Sequence, residues 1–193
     1  MDFQKLIDRV KNILLTPKTE WPVIAAETTT VPDLFKNYII YVAAIPAVFS
    51  LIAMSIHFLV PGIIIGVVSY VITLGVIYVI SLLINAFAGT FGGTPDPVQA
   101  LKSAAYSYTA VCVAGVGALI PFLGILVSLA GLIYAIYLLN LGLPSTMKCP
   151  PEKSIGYAAV VMIIGWVISF IVGLVLAGIV VATLVAGAAM GAH

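Results

Sequence analysis

Charge is what this chain lacks most. Charged side chains make up 8% of its 193 residues, against about 25% in soluble domains. So little polar surface cannot keep a chain of this length in water, which excludes a soluble globular domain. Histidine is nearly absent as well, with only His57 and His193. The two cysteines, Cys112 and Cys149, are far apart and have no ligand companions, so neither a metal centre nor a disulfide framework finds support. Cys112 reads as a small packing residue in an apolar run, and Cys149 as a free thiol in a polar loop. Basic runs are missing too. The eight Lys and Arg leave a net charge of +1 and form no stripe, which excludes nucleic acid as a partner. "GTFGGT", from Gly89 to Thr94, is glycine-rich. It has neither the lysine nor the strand–loop–helix setting of a phosphate loop and reads as a flexible turn. No nucleophile motif surrounds the many serines and threonines. Catalytic residues and cofactors are therefore expected to be none. "MDFQKLIDRVKNILL" has no uninterrupted apolar core and does not read as a cleaved leader.

What is present is apolar length. Hydrophobic residues are 63% of the chain and mean hydropathy is +1.24. A membrane-spanning helix needs about 20 mostly apolar residues. Five stretches meet that need, at about 38–60, 63–88, 104–120, 122–143 and 155–186. "VPG" at Val60 to Gly62 and "PFLG" at Pro121 to Gly124 are expected to break the chain between neighbouring spans. The expected fold is an all-α membrane protein. Residues 1–37 form a cytoplasmic N-terminal segment, and residues 38–193 form a five-span domain.

Charge placement orients it. Lys5, Arg9, Lys11, Lys18 and Lys36 precede the first span. Lys102 lies between the second and third, and Lys148 and Lys153 between the fourth and fifth. In a five-span chain all eight fall on one side, which the positive-inside rule makes cytoplasmic. The expectation is an inner (plasma) membrane protein with its N-terminus in the cytoplasm and its C-terminus outside. His57 would then lie near the external end of the first span.

The N-terminal segment has two parts. Phe3, Leu6, Ile7, Val10, Ile13 and Leu14 recur at helical spacing, with charged residues on the other side. This predicts an amphipathic helix lying in the membrane interface. "LLTPKTEWPVIAAETTT" follows. Pro17 and Pro22 each remove a backbone donor and disfavour helix before them, which predicts an extended or turned linker. Trp21 would anchor at headgroup level or pack against the span ends. The membrane-anchor candidates are Phe3, Leu6, Val10 and Trp21.

Inside the spans no charge is found, which removes the commonest mark of an ion path. Asn85 and Asn140 lie near the cytoplasmic ends of the second and fourth spans. With Asp96, Tyr106 and Glu152 they could line a cytoplasmic vestibule that takes a partner or a solute. Taken singly, the two amides read as helix-to-helix hydrogen bonds and Asp96 as a turn residue. Gly165, Ser169, Gly173 and Ala177 recur every four residues and form a stripe that allows close helix packing, within the chain or against a second copy. Gly62 and Gly66 begin a similar stripe.

Three stretches in this order resemble the Yip1 domain, in its short prokaryotic form. "LLTPKTEWPVIAAE" looks like the entry motif of bacterial members. "GTFGGTPDPVQALKSAAYSYT" resembles the loop and start of the third span. The block from "ALIPFLG" to "SIGYAAVV", with its tyrosine-rich helix, "LGLP" exit and "P-x-K" loop, resembles the third to fifth spans. The likeness covers essentially the whole chain. It implies a non-enzymatic integral membrane protein, an adaptor that organises membrane or partner proteins. The lipid bilayer and another membrane protein, or a second copy of this chain, would be its partners. Eukaryotic members act in vesicle traffic and engage Rab-type GTPases, and they carry an acidic "DLxGP"-type motif and a "GY-x-x-P"-type span start. Tyr106, Ser107, Tyr108 and Thr109 lack the glycine and proline of that pattern, so those trafficking residues do not carry over. The alternative is a small-solute or ion transporter or channel.

Overall fold

The computed structural model describes residues 3–55, 59–120 and 122–190. His57 and His193 lie outside them. All described secondary structure is helical. α1 (Phe3–Leu15) and α2 (Pro17–Ala26) form the N-terminal segment. α3 (Val31–Leu34) runs through a wide π turn at Phe35–Ile39 into α4 (Ile40–Ser55). α5 (Leu59–Phe87), α6 (Pro97–Ala114), α7 (Leu123–Thr146) and α8 (Pro151–Met190) complete the chain, with a tight 3₁₀ turn at Gly115–Leu119 after α6.

Four described helical stretches are long and apolar enough to cross a membrane: Val31–Ala53, Gly66–Phe87, Leu123–Thr146 and Pro151–Leu174. α6 does not reach that apolarity, so the expectation of five apolar spans is corrected. The reason lies in its surroundings. Twelve of its 18 residues are buried, and α2, α4, α5 and α7 all pack on it. A helix wrapped by protein need not match lipid. It can carry Ser103, Ser107 and Thr109 where a lipid-facing helix would carry Leu or Val. Its small residues also let neighbours come close. A Cβ at Gly115 would sit 2.6 Å from Cβ of Pro46 on α4.

Several boundaries differ from expectation. The first apolar helix starts at Val31 rather than 38, because Thr30 caps it: its Oγ1 accepts from Asp33 N at 3.3 Å and donates to Asp33 Oδ2 at 2.6 Å. Val60 to Gly62 do not break the chain; they are helical in the first turn of α5, where a proline is tolerated. α6 starts at Pro97, earlier than 104. Asp96 is its N-cap rather than a plain turn residue and accepts from Val98 N at 2.9 Å and Gln99 N at 3.0 Å. α7 continues through Pro144 to Thr146. α8 stays helical from Pro151 to Met190, beyond the expected 155–186.

The α5–α6 and α7–α8 loops meet at one end of the bundle. Thr94 N donates to Met147 O at 2.7 Å, and Ser103 and Thr146 hydroxyls share a 2.6 Å hydrogen bond. "GTFGGT" is therefore a packed connection, not a flexible turn. Gly92 has φ +77°, which favours glycine, and a Cβ on Gly93 would lie 2.8 Å from Met147 O. Phe91 stacks on Tyr157 with ring centroids 4.8 Å apart. Cys149 sits in this junction and is buried, as is Cys112; both are free thiols.

Candidate functional site

The predicted linker is a helix. Pro17 takes the first helical position of α2, where its missing donor costs nothing. Pro22 lies further in. Its ring leaves the carbonyl of Lys18 without a helical partner, and Lys18 is exposed, so water can serve that carbonyl. Two prolines spaced this way mark a start and a tolerated interior position, not a break.

α2 is held on α6 by a buried amine. Lys102 is 1% exposed. Its Nζ donates to the carbonyls of Ile24 at 2.8 Å, Ala25 at 3.4 Å and Glu27 at 2.6 Å. These are last-turn and cap carbonyls of α2, which have no helical partner. A cation there also meets the negative end of the helix dipole. Gln99 Nε2 adds a bond to Ala25 O at 3.0 Å.

Trp21 fills the space between α2, α6 and α7. It is 1% exposed, so the headgroup anchor is corrected: the indole is inside the protein. Its ring lies on Gly142, where a Cβ would come within 2.6 Å of Cζ2, and meets Tyr106 edge-on at 6.4 Å. Of the other anchor candidates, Leu6 is buried and Val10 packs partly on the core. Phe3 alone is well exposed, at 66%. α1 is amphipathic as expected, but much of its apolar side faces protein, with Ile13 fully buried.

Arg9 completes the join. It reaches from α1 to both Glu20 and Glu27. The guanidinium carbon lies 5.9 Å from the Tyr106 ring centroid, within the range of a cation–π contact. Burial works against the Arg9 charge, and the neighbouring Tyr106, Glu27 and Glu20 outweigh it, so its pKa stands above the ordinary arginine value. Tyr106 packs in turn on Tyr38, with centroids 4.4 Å apart. The Thr109 hydroxyl donates to Ala105 O at 3.0 Å, which leaves it to accept from the Tyr38 hydroxyl at 2.7 Å.

These residues enclose a polar cavity of about 440 Å³. Lys5 and Arg9 come from α1, Glu27, Thr28 and Thr29 from the α2–α3 link, Asp33 and Asn37 from the start of the first apolar helix, and Tyr38 and Tyr106 from its inner wall. Both signs of charge face it.

Of the five vestibule residues, Tyr106 alone lines this cavity. Asp96 caps α6. Asn140 Oδ1 accepts from Ser154 Oγ at 2.5 Å, a helix-to-helix bond of the kind expected. Asn85 is partly buried, with its Oδ1 unpaired among the described residues. Glu152 is exposed in the first turn of α8. The five take separate places. The α8 stripe also divides. A Cβ on Gly165 would meet Ile80 Cγ1 of α5 at 3.1 Å, whereas one on Gly173 meets nothing within 4 Å among the described residues. Ser169 turns its hydroxyl back to Gly165 O at 2.7 Å. The side chain of Ala177 lies outside the described residues. Gly66, from the shorter stripe, does pack on α4, with Leu51 Cβ 3.1 Å from its built Cβ.

Arg9 and Lys102 were counted for their charge alone, and their sites were missed. A signal was available for Arg9. It is the only arginine in the chain, and the guanidinium fork suits two carboxylates where an ammonium does not. Glu20, inside α2, and Glu27, its C-terminal cap, supply those two carboxylates. Lys102 carried no such signal.

The Yip1 domain matches residues 11–173. The chain belongs to the Yip1 domain family. No curated protein and no solved structure matches it. This Yip1 protein is a membrane protein, with four long apolar helical stretches among the described residues, and its matched region takes in every helix from α2 to α7. Among the described residues no group of three or more His, Cys, Asp or Glu could hold a metal ion.

Proposed function

We propose that this Yip1 protein is a multi-pass protein of the inner (plasma) membrane that works without catalysis, as an adaptor holding membrane or partner proteins at its cytoplasmic face. It crosses the bilayer five times, with α6 as the enclosed crossing. Its N-terminus lies in the cytoplasm and its C-terminus outside. The orientation is supported by the meeting of the two basic loops at one end of the bundle, with Lys102 tied to α2 at the same end, since basic residues gather on the cytoplasmic side.

One observation favours an adaptor over a transporter. The polar cavity stops at the Tyr38–Tyr106 pair. Past that floor Val42, Ala43 and Ala110 are buried, and α6 has no charged residue after Lys102. A solute path needs polar groups at membrane depth, and the charged lining of this cavity ends at the two rings.

Two experiments test this. A cytoplasm-only reporter is expected to work when fused after Pro95 or Pro151 and to fail after His193; activity after His193 would require an even number of crossings. Purified protein in sealed liposomes is expected to pass ions and small solutes no faster than empty liposomes. A saturable flux would replace the adaptor with a transporter.

A further inference from the structure

α1 separates two depressions that meet at Leu6. One is the polar cavity. The other is an apolar groove of about 450 Å³, between Phe3, Ile7 and Val10 of α1 and Ile40, Tyr41 and Ile45 of α4. Leu6 lines both. Each is in the size range of a small-molecule site.

Their depth narrows the ligand. The Tyr134 hydroxyl donates to Leu14 O, at the end of α1, at 2.6 Å. Tyr134 stands 12 residues before Thr146, the last residue of α7, so the Leu14 end of α1 meets the flank of that helix and not its tip. Tyr70, which lines the groove, is likewise far from the Phe87 end of α5. Ile40, Tyr41 and Ile45 belong to Val31–Ala53 and Tyr70 to Gly66–Phe87, two stretches apolar enough to cross a membrane. The groove is therefore cut into lipid-facing helices, and the polar cavity adjoins it at Leu6. A lipid reaches both depressions at once; a soluble metabolite has no use for the groove.

The charges narrow it further. Two cations, Lys5 and Arg9, and two carboxylates, Glu27 and Asp33, line the cavity. Arg9 and Glu27 already pair with each other, so Lys5 and Asp33 are the charges left to a ligand; a purely anionic headgroup would face Asp33, whereas a zwitterion meets a partner for each of its charges. Asp33 receives the Thr30 hydroxyl on Oδ2, which leaves its other oxygen for a ligand. We infer that the two depressions form one phosphatidylethanolamine site. Lys5 holds the phosphate, joined by the Arg9 N–H groups that its two carboxylates leave over, Asp33 accepts a hydrogen bond from the ammonium, and an acyl chain lies along the groove. Choline has no N–H to donate to Asp33, so phosphatidylcholine forfeits that bond.

The test is lipid retention. The protein is placed in nanodiscs of phosphatidylethanolamine, phosphatidylglycerol and phosphatidylcholine in equal parts, stripped stepwise with detergent, and weighed by native mass spectrometry. One phosphatidylethanolamine is expected to persist, at about tenfold excess over each of the others, the worth of one charged hydrogen bond. Asp33→Asn keeps an oxygen for the Thr30 bond and removes the charge; it should abolish the preference over phosphatidylcholine. Lys5→Ala should lower retention of all three. Lys18→Ala, which removes an equal charge from an exposed position outside the cavity, should change nothing. Equal retention of the three lipids, preference for phosphatidylglycerol, no retained lipid, or an undiminished preference in Asp33→Asn would each overturn the site. So would Lys18→Ala acting like Lys5→Ala, because it would reduce the effect to general surface charge.

Discussion

Lys102→Met should free the N-terminal segment while leaving the apolar helices in place. Methionine matches the lysine stem in length and apolar character, so the change removes the charged donor and little packing. Two of the three bonds, at 2.8 and 2.6 Å, are short enough to count fully. A bond to a charged group is worth about 1.5–3 kcal/mol, so the pair contributes about 3–6 kcal/mol. Against that stands the cost of burying the ammonium, which methionine does not incur. A net loss of about 2–3 kcal/mol remains, borne by the contact of α2 with α6. Gln99 keeps its bond to Ala25 and limits the loss. The assay is hydrogen exchange in nanodiscs. Amides of α2 from Val23 to Glu27 should exchange about 30- to 150-fold faster, the factor matching that energy, with α7 unchanged. If exchange in α2 stays within about twofold of the parent, Lys102 is not the clamp and the segment is held by Trp21 and Arg9 alone. If α7 accelerates equally, α2 and the bundle are one cooperative unit.

Trp21→Ala should lower stability by about 3–5 kcal/mol, the usual range for emptying a large aromatic site, and appear as earlier thermal aggregation in size-exclusion runs; an unchanged profile would mean the ring is not needed between α6 and α7. Gly165→Leu should cost about 1–3 kcal/mol by overpacking against Ile80, whereas Gly173→Leu should behave like Val172→Leu; a large loss at Gly173 would reveal a neighbour there, and its conversion of an oligomer to monomer would make it a subunit contact. Asp96→Ala should destabilise the start of α6 by about 1 kcal/mol, read as faster exchange at the amides of Val98 and Gln99.

The apolar helices were legible because length and hydropathy alone define them: Gly66–Phe87 and Leu123–Thr146 match 63–88 and 122–143 closely, while Val31–Ala53 and Pro151–Leu174 are displaced from 38–60 and 155–186. α6 was legible as a helix but not as an apolar one, because its polar residues follow from what surrounds it. The N-terminal segment misled for a related reason. Pro17 and Pro22 argue against helix only until the first is placed at a helix start. Trp21 has the same composition whether it faces headgroups or a glycine on another helix, and only Gly142, 121 positions away, decides which. The vestibule failed because residues sharing an end of a bundle need not share a cavity. Asn140 was already committed to Ser154 and Asp96 to its own helix. The cavity that exists draws its charges from Lys5, Arg9, Glu27 and Asp33, all in the N-terminal segment 1–37, which the sequence pattern set apart from the spans.

The enclosed character of α6 bears on how the chain is built. On the proposed arrangement, α6 must enter the membrane although it fails the apolarity that lets a helix partition alone. Its polar side chains become tolerable only once other helices surround it. α2, α4 and α5 are synthesised before it, and α7 follows after a turn of a few residues. α6 and α7 therefore enter best as a hairpin, the second helix carrying the first, with α2 closing over the exposed flank. The N-terminal segment then serves as an escort within the same chain. A truncation that begins after Ala26 should leave α6 slow to insert and open to the quality-control proteases of the membrane, even with every apolar helix intact.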